Sequence, residues 1–341
     1  MNAHVETSST AVVVDKRPTT LVDLINRFEL AESRQHPDKV VAVNALRMND
    51  LGNIVVPDLG EFALNEWSTK QTAAMVGLKW DRWFQSSSPE EQAEELNRRF
   101  ARSSLVLKVR TTSIVEPGTP ADGTLTALVS TGFTAIKDSH VAKMLVTGLR
   151  SIDTELKIIR SNVTARSCSY VVQIGQPHKV GTGEIGDLAG GLMVCNSGVG
   201  FMSLTAVLHI TRLICKNGMT APVADNELLR KRHRGIEEGR LMNMIEDGMK
   251  FVPERLSRVS ERLLHAEAVP VSDVEETIRG ILKDAHMPLR MVAPIMSAYS
   301  TASYSKSAFG VSQAITLGAQ EFIPEERILL EDVASGYLQR I

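Results

Sequence analysis

The chain has 341 residues, a formal net charge of −2, 43% apolar residues and 23% charged residues. That balance belongs to a globular chain long enough for one large or two modest domains, and it excludes disorder, collagen and coiled coil as whole-chain descriptions. Three cysteines (Cys168, Cys195, Cys215) with no C-x-x-C spacing exclude a disulfide scaffold and a cysteine-based zinc ribbon.

The first residues are polar and offer only Ala11–Val14 as an apolar run, too short for a signal-peptide core, so a cytoplasmic protein is expected. Residues 1–100 read as a mostly helical region. Thr20 stands as an N-cap before Leu21–Ile25, while Ser68 with Gln71, and Ser88 with Glu91 behind Pro89, have capping-box spacing. Trp80, Trp83 and Phe84 share one helical face, the pattern of a core plug more than of a base-stacking site.

The period changes to two at Leu105, where Leu105, Leu107 and Val109 alternate with Val106, Lys108 and Arg110 as in a half-buried strand. Pro117, Gly118, Pro120 and Gly123 mark a loop, and Asp138 opens a helix predicted to reach Leu149. Leu156–Ile159, Ser167–Ile174 and Met202–Thr211 are predicted strands, the last closed by a tight turn at Asn217 and Gly218. The longest stretch without charge, Leu188–Thr211, is long enough to span a bilayer. It carries Asn196, Ser197, Ser203, Thr205 and His209, so membrane insertion is not expected. From 225 on, helices are predicted at Leu228–Lys250, Glu254–Ala266, Val274–Ala285 and Glu325–Arg340. The expected architecture is α+β: a small central antiparallel sheet within residues 101–224, flanked by a helical N-terminal region (1–100) and a helical C-terminal region (225–341).

Motif by motif, the chemistry is sparse. Gly181, Gly183 and Gly186 match G-x-G-x-x-G, but Asp187–Gly191 makes a poor helix and Phe201 stands where an acidic residue would bind a ribose. A flexible loop over Gly181–Gly191 is the better account. His209 and Cys215 would sit about 20 Å apart on one straight strand, too far for a catalytic dyad. The eight histidines show no metal-ligand spacing, and neither a metal nor a cofactor is expected. An enzyme using Asn196, Ser197 and Asn217 lacks an identifiable general base, and both Asn residues are ordinary turn formers.

Charge is uneven along the chain. Residues 1–100 carry −4, residues 101–234 carry +7, and residues 235–341 carry −5. Arg160, Arg166, Lys179, Arg212 and Lys216 stand near predicted strand ends, followed by Arg230, Lys231, Arg232 and Arg234. Cations that release counterions from a phosphate backbone need no fixed spacing, so these residues could line a groove. The plainer alternative for Arg230–Arg234 is the wet face of a helix, paired with Glu227, Glu237 and Glu238. Aromatics are few here, so backbone contact fits better than base stacking.

Cys195-Asn196-Ser197-Gly198-Val199-Gly200, followed by Arg212-Leu213-Ile214-Cys215-Lys216-Asn217-Gly218-Met219, resembles the N-S-E-x-G and R-x-V-C-x-N-G blocks of the phage/plasmid-like proteins catalogued as domain of unknown function nine-three-two. Gly198 stands where that family has an acidic residue. Gly77–Trp80, Leu128–Phe133 and Phe309–Thr316 are also similar, so the resemblance extends over most of the chain. Asn196, Ser197, Gly200, Cys215, Asn217 and Gly218 are its motif and turn residues. The resemblance implies a phage or plasmid protein in a bacterial host cell, near recombination and single-strand-binding functions. The expectation is single-stranded DNA binding and strand annealing without nucleotide hydrolysis, by a homo-oligomer that could meet a single-strand-binding protein or host protein. The rival expectation is an interaction factor that inhibits a host defence or repair enzyme through its helical C-terminal part.

Overall fold

The computed structural model describes residues 20–79, 86–149, 156–180, 185–212, 219–235, 243, 247 and 252–341. Helix α1 (Leu21–Glu32) begins as its sequence predicts. Thr20 Oγ1 accepts from the Asp23 amide at 3.1 Å while the Asp23 carboxylate accepts from the Thr20 amide, satisfying donors that a helix start leaves open. Leu24 and Phe28, one turn apart, face inward.

The region expected to be mostly helical supplies, besides its helices, four short strands: β1 (Lys39–Ala42), β2 (Arg47–Met48), β3 (Ile54–Val56) and β4 (Gly60–Leu64). They combine with β5 (Val106–Thr112) and β6 (Gly123–Ser130) into a first sheet in the order β1-β5-β6-β4-β3-β2. Only the β4–β6 pair is parallel. Helices α2 (Glu66–Met75) and α3 (Pro89–Phe100) cover one face, packing Ala73, Ala93, Leu96 and Phe100 on Ile54, Phe62, Val109 and Leu125. The α2 cap differs from the expected Ser68–Gln71 box: Asn65 is the N-cap and Ser68 its reciprocal partner. The α3 cap is the predicted one, Ser88 with Glu91 behind Pro89. Trp80, Trp83 and Phe84 lie outside the described residues.

The second sheet is antiparallel throughout, ordered β12-β11-β10-β8-β7: β12 (Met219–Lys231), β11 (Leu204–Arg212), β10 (Gly186–Asn196), β8 (Cys168–Ile174) and β7 (Leu156–Val163), with β9 (His178–Val180) also on β10. The uncharged run is therefore the β10–β11 pair, with Leu192 opposite Leu208, and not a membrane span. Among the described residues no helix is long and apolar enough to cross a membrane. The expected loop over Gly181–Gly191 is corrected: 181–184 lie outside the described residues, while Gly186–Gly191 belong to β10. A Cβ on Gly191 would collide with the Val172 carbonyl oxygen, so close strand approach accounts for that glycine. The helix predicted from Leu228 is also corrected, because β12 runs on to Lys231 and pairs it with Leu204.

Both faces of this sheet are covered. Alternate residues of β8 and β10 (Cys168, Tyr170, Val172, Leu192, Val194) meet α1 and α4 (Asp138–Leu149); the intervening ones (Val171, Met193, Cys195) turn to the C-terminal helices. Those helices are α5 (Val252–Ala268), α6 (Val274–Asp284), α7 (Val292–Ala302), α8 (Ala308–Gly318) and α9 (Pro324–Gln339). Helix α8 is apolar nearly all round and buried along almost its whole length, the hub on which the other helices pack. The molecule is α+β with helices toward both ends, and its sheet structure is two sheets rather than one small central one.

Candidate nucleic-acid interface

The two sheets meet through the turn after β10. Ser197 Oγ donates to the Arg166 carbonyl at 2.6 Å and accepts from the Phe201 amide at 2.9 Å, which closes the turn. Gly200 takes φ +77°, and a Cβ there would press on Phe133 at 3.4 Å. The Val199 carbonyl accepts from Trp67 Nε1 and Gln71 Nε2 of α2, and the Phe201 ring meets Trp67 edge-on at 5.0 Å. Asn196 is equally structural. Its Nδ2 donates to the Ile136 carbonyl at 2.9 Å and to Asp138 Oδ1 at 2.8 Å, tying the end of β10 to the start of α4. Burial raises the Asp138 carboxyl to about 6, with the Asn196 hydrogen bond opposing that rise.

Cations gather around Phe133 at this seam. Strand alternation about the buried Val109 sets Lys108 and Arg110 of β5 on the sheet face away from α2 and α3, opposite Val129 and Ala127. Lys108 Nζ donates to the Phe133 carbonyl at 2.7 Å. Arg110 lies over the Phe133 ring at 5.7 Å, pairs with Asp38 at 2.9 Å and donates to the Gly198 carbonyl. From the other sheet, His233 stacks on Phe133 at 5.0 Å, and its imidazole is held below the usual range by burial. The Arg234 guanidinium covers Gly132, where a Cβ would lie 3.7 Å from it. Lys231, Arg232 and Arg234 take no carboxylate partner among the described residues, and Arg232 and Arg234 are exposed. Beside them Val40, Ala42 and Val106 leave part of the first sheet's outer face uncovered.

The expected groove is not one surface. Arg230 pairs with Thr205 and Lys231 with Leu204, whereas Arg212 pairs with Met219 at the other end of the same strands. Seven residues of β11 separate the two ends, about 23 Å at strand rise. Lys179 stands near the Arg212 end, opposite Asp187 and next to the Leu188–Arg212 pair. Lys216, Cys215, Asn217 and Gly218 lie outside the described residues.

Arg160 and Arg166 are a correction of another kind, since both are engaged inside the protein. Arg160 holds Glu331 of α9 with both terminal nitrogens, the Nη2 contact at 2.8 Å, and Arg327 adds its Nε to the same carboxylate at 3.0 Å. Burial alone would raise the Glu331 carboxyl; the Arg160 guanidinium outweighs it and brings the group down to about 2. Arg166 lies over the Phe201 ring at 4.9 Å and 3.4 Å from Glu325, which also accepts from Thr164 and Ser167 at 3.0 Å each. A guanidinium already bound to a buried carboxylate has little left for a phosphate. His209 belongs to the same interior layer; both ring nitrogens lack a partner among the described residues, and burial drives its imidazole down to about 3. Burial likewise pushes the Cys195 thiol up to about 12, far from a working nucleophile.

Sequence reasoning missed Lys108, Arg110 and Phe133, although the first two are the charged members of the alternating strand at 105–110. No protein-family model matches the chain, and no curated protein or solved structure is similar to it.

Proposed function

We propose that the protein binds single-stranded DNA by its phosphate backbone at the seam between the sheets, and that strand annealing follows without nucleotide hydrolysis. The observation that carries this reading is the convergence of Lys108 and Arg234 on the adjoining residues Gly132 and Phe133, with Arg232 exposed just before the adjacent bend and, of these cations and Arg110, only Arg110 taking a carboxylate among the described residues. The cations stand on strands and a bend, so no helix is offered to a duplex major groove; the site suits a flexible backbone. The resemblance of residues 195–200 and 212–219 to the phage/plasmid-like family supports a setting in mobile DNA. Oligomerisation would lengthen the phosphate track.

The test is binding of a labelled oligonucleotide, single-stranded and duplex, across a salt series, with sizing chromatography of the same sample. The double variant Arg232→Gln/Arg234→Gln should weaken binding to all sequences alike and make the salt slope shallower by about 0.7 for each phosphate that a removed cation had neutralised. Affinity unchanged between low and moderate salt defeats the proposal. A second reading, a protein-interaction factor, draws on Leu289, Ile323 and Leu329, which are 54%, 45% and 53% exposed on and between the C-terminal helices. It expects no oligonucleotide binding even at low salt.

A further inference from the structure

A second concentration of positive charge lies on the opposite face of the first sheet, away from the seam. There a cleft of about 470 Å³ opens between the ends of α2 and α3, lined by Met75, Val76, Arg98, Arg99, Arg102 and Ser103. Of its three guanidiniums, those of Arg98 and Arg99 hold one carboxylate, that of Glu95. Arg99 gives its Nε to Glu95 Oε1 at 2.7 Å, and Arg98 gives its Nε to Oε2 at 3.0 Å. Hydrogen bonds from Arg99 and then Arg98 keep that carboxyl below the usual range, so it stays ionised and braces both side chains. Arg99 Nη1 donates to the Val76 carbonyl at 3.0 Å, which fixes the guanidinium plane at the mouth of the cleft. Arg102 is exposed and takes no partner among the described residues.

Helix C-termini ordinarily repel anions through their open carbonyls. Here those carbonyls are engaged. Gly77, at φ +75°, and Leu78 bring their amides to Ala74 and Ala73, while Arg102 and Ser103 bring theirs to Arg99 and Phe100. Glu95 cancels one of the three positive charges, which leaves an excess of two over a part-apolar wall of Met75 and Val76. A planar guanidinium pre-oriented by its other hydrogen bonds is suited to a tetrahedral oxyanion.

We infer that this cleft binds the oligophosphate group of a small ligand, with Arg102 and Arg99 on the phosphate oxygens. The same chemistry is found in inorganic oligophosphate and in a nucleoside triphosphate, and the volume is that of a small-molecule site.

The experiment is isothermal titration calorimetry of the full chain with sodium tripolyphosphate and, separately, ATP. Four proteins are compared: the parent, Arg102→Gln, Arg98→Gln, and the seam variant Arg232→Gln/Arg234→Gln. The parent is expected to bind at least one of the two probes, and comparison of the two distinguishes an inorganic from a nucleotide source. Arg102→Gln should weaken binding about tenfold or more, the worth of a charge-assisted hydrogen bond. The seam variant should bind as the parent does, whatever becomes of oligonucleotide binding. Absence of binding to both probes at millimolar concentration overturns the inference. So does binding that survives in Arg102→Gln and Arg98→Gln but disappears in the seam variant. Circular dichroism of each variant establishes that it is folded before titration.

Discussion

Replacing Glu331 by Gln removes the one carboxylate that two buried guanidiniums share. Arg160 and Arg327 have side chains only 11% and 18% exposed, and Glu331 itself is 1% exposed, so Arg160 and Glu331 are not solvated enough to do without each other. Taking one partner from a buried pair costs about 3–5 kcal/mol, most of it the penalty of an uncompensated charge. With two arginines left facing each other, Glu331→Gln should fall at the upper end of that range. Urea unfolding followed by circular dichroism would measure it as a lowered midpoint at constant slope. The companion variant Arg160→Met/Glu331→Leu removes the charge and refills the volume, while Arg327, at the edge, can turn to solvent. It should return to within about 1 kcal/mol of the parent, since buried ion pairs seldom outperform apolar packing. A loss under about 1 kcal/mol for Glu331→Gln, or a double variant no better than the single one, would refute the reasoning.

Acid should loosen the same interface. His209 is depressed to about 3 in the fold, so as pH falls from the ordinary histidine range toward 3 the unfolded chain takes up a proton that the native state refuses. The Glu331 carboxyl, held at about 2, contributes stability above its ordinary range that is lost as pH falls toward 2. Denaturation midpoints measured from pH 7 to 3 should therefore drop, and His209→Leu should flatten that drop by up to about 1.4 kcal/mol per pH unit. Asn196→Ala strips the donor from Asp138 and the Ile136 carbonyl; about 3 kcal/mol should be lost in urea unfolding, and the Asp138 titration followed by NMR should move above about 6. Gly318→Ala places a Cβ 2.7 Å from the Ile295 Cα and should cost about 1–3 kcal/mol in thermal unfolding. Gly280→Ala and Gly336→Ala meet nothing within 4 Å and should gain about 0.5–1 kcal/mol instead.

What could be read in the sequence was whatever local chemistry decides. Thr20 and Ser88 cap the helices that follow them, Asp138 opens α4, and β5, β8 and β11 follow their period of two. Strands β1 to β4 run to only two to five residues each, too short for a visible period; β1 and β4 are held by β5 and β6 from about 60–70 positions away, and β3 and β2 add on beside β4. Helix α8 leaves no amphipathic stripe in the sequence because it is buried on all sides, and glycines at 310 and 318 read as breaks. Glycine is needed at both: a Cβ on Gly310 would collide with the Ser305 carbonyl oxygen, and one on Gly318 would meet Ile295 of α7. Leu228–Arg230 has helical composition yet extends β12, since tertiary pairing with β11 overrides propensity. For the site, the limit was charge pairing over distance. Arg160 looks available in the sequence because Glu331 is 171 residues away.

That separation also sets the order in which the chain can complete itself during synthesis. One side of the second sheet, with Val171, Met193, Cys195 and Val207, is finished in sequence by residue 231, yet the helix that closes over it ends at Gln339. At about 5–20 residues per second, a ribosome needs on the order of ten seconds to supply the missing helix. For that interval the nascent chain presents an apolar sheet face and an uncompensated Arg160. The segment that hides this apolar face therefore emerges well after the face itself, which makes translation speed across the codons for residues 232–339 a determinant of yield.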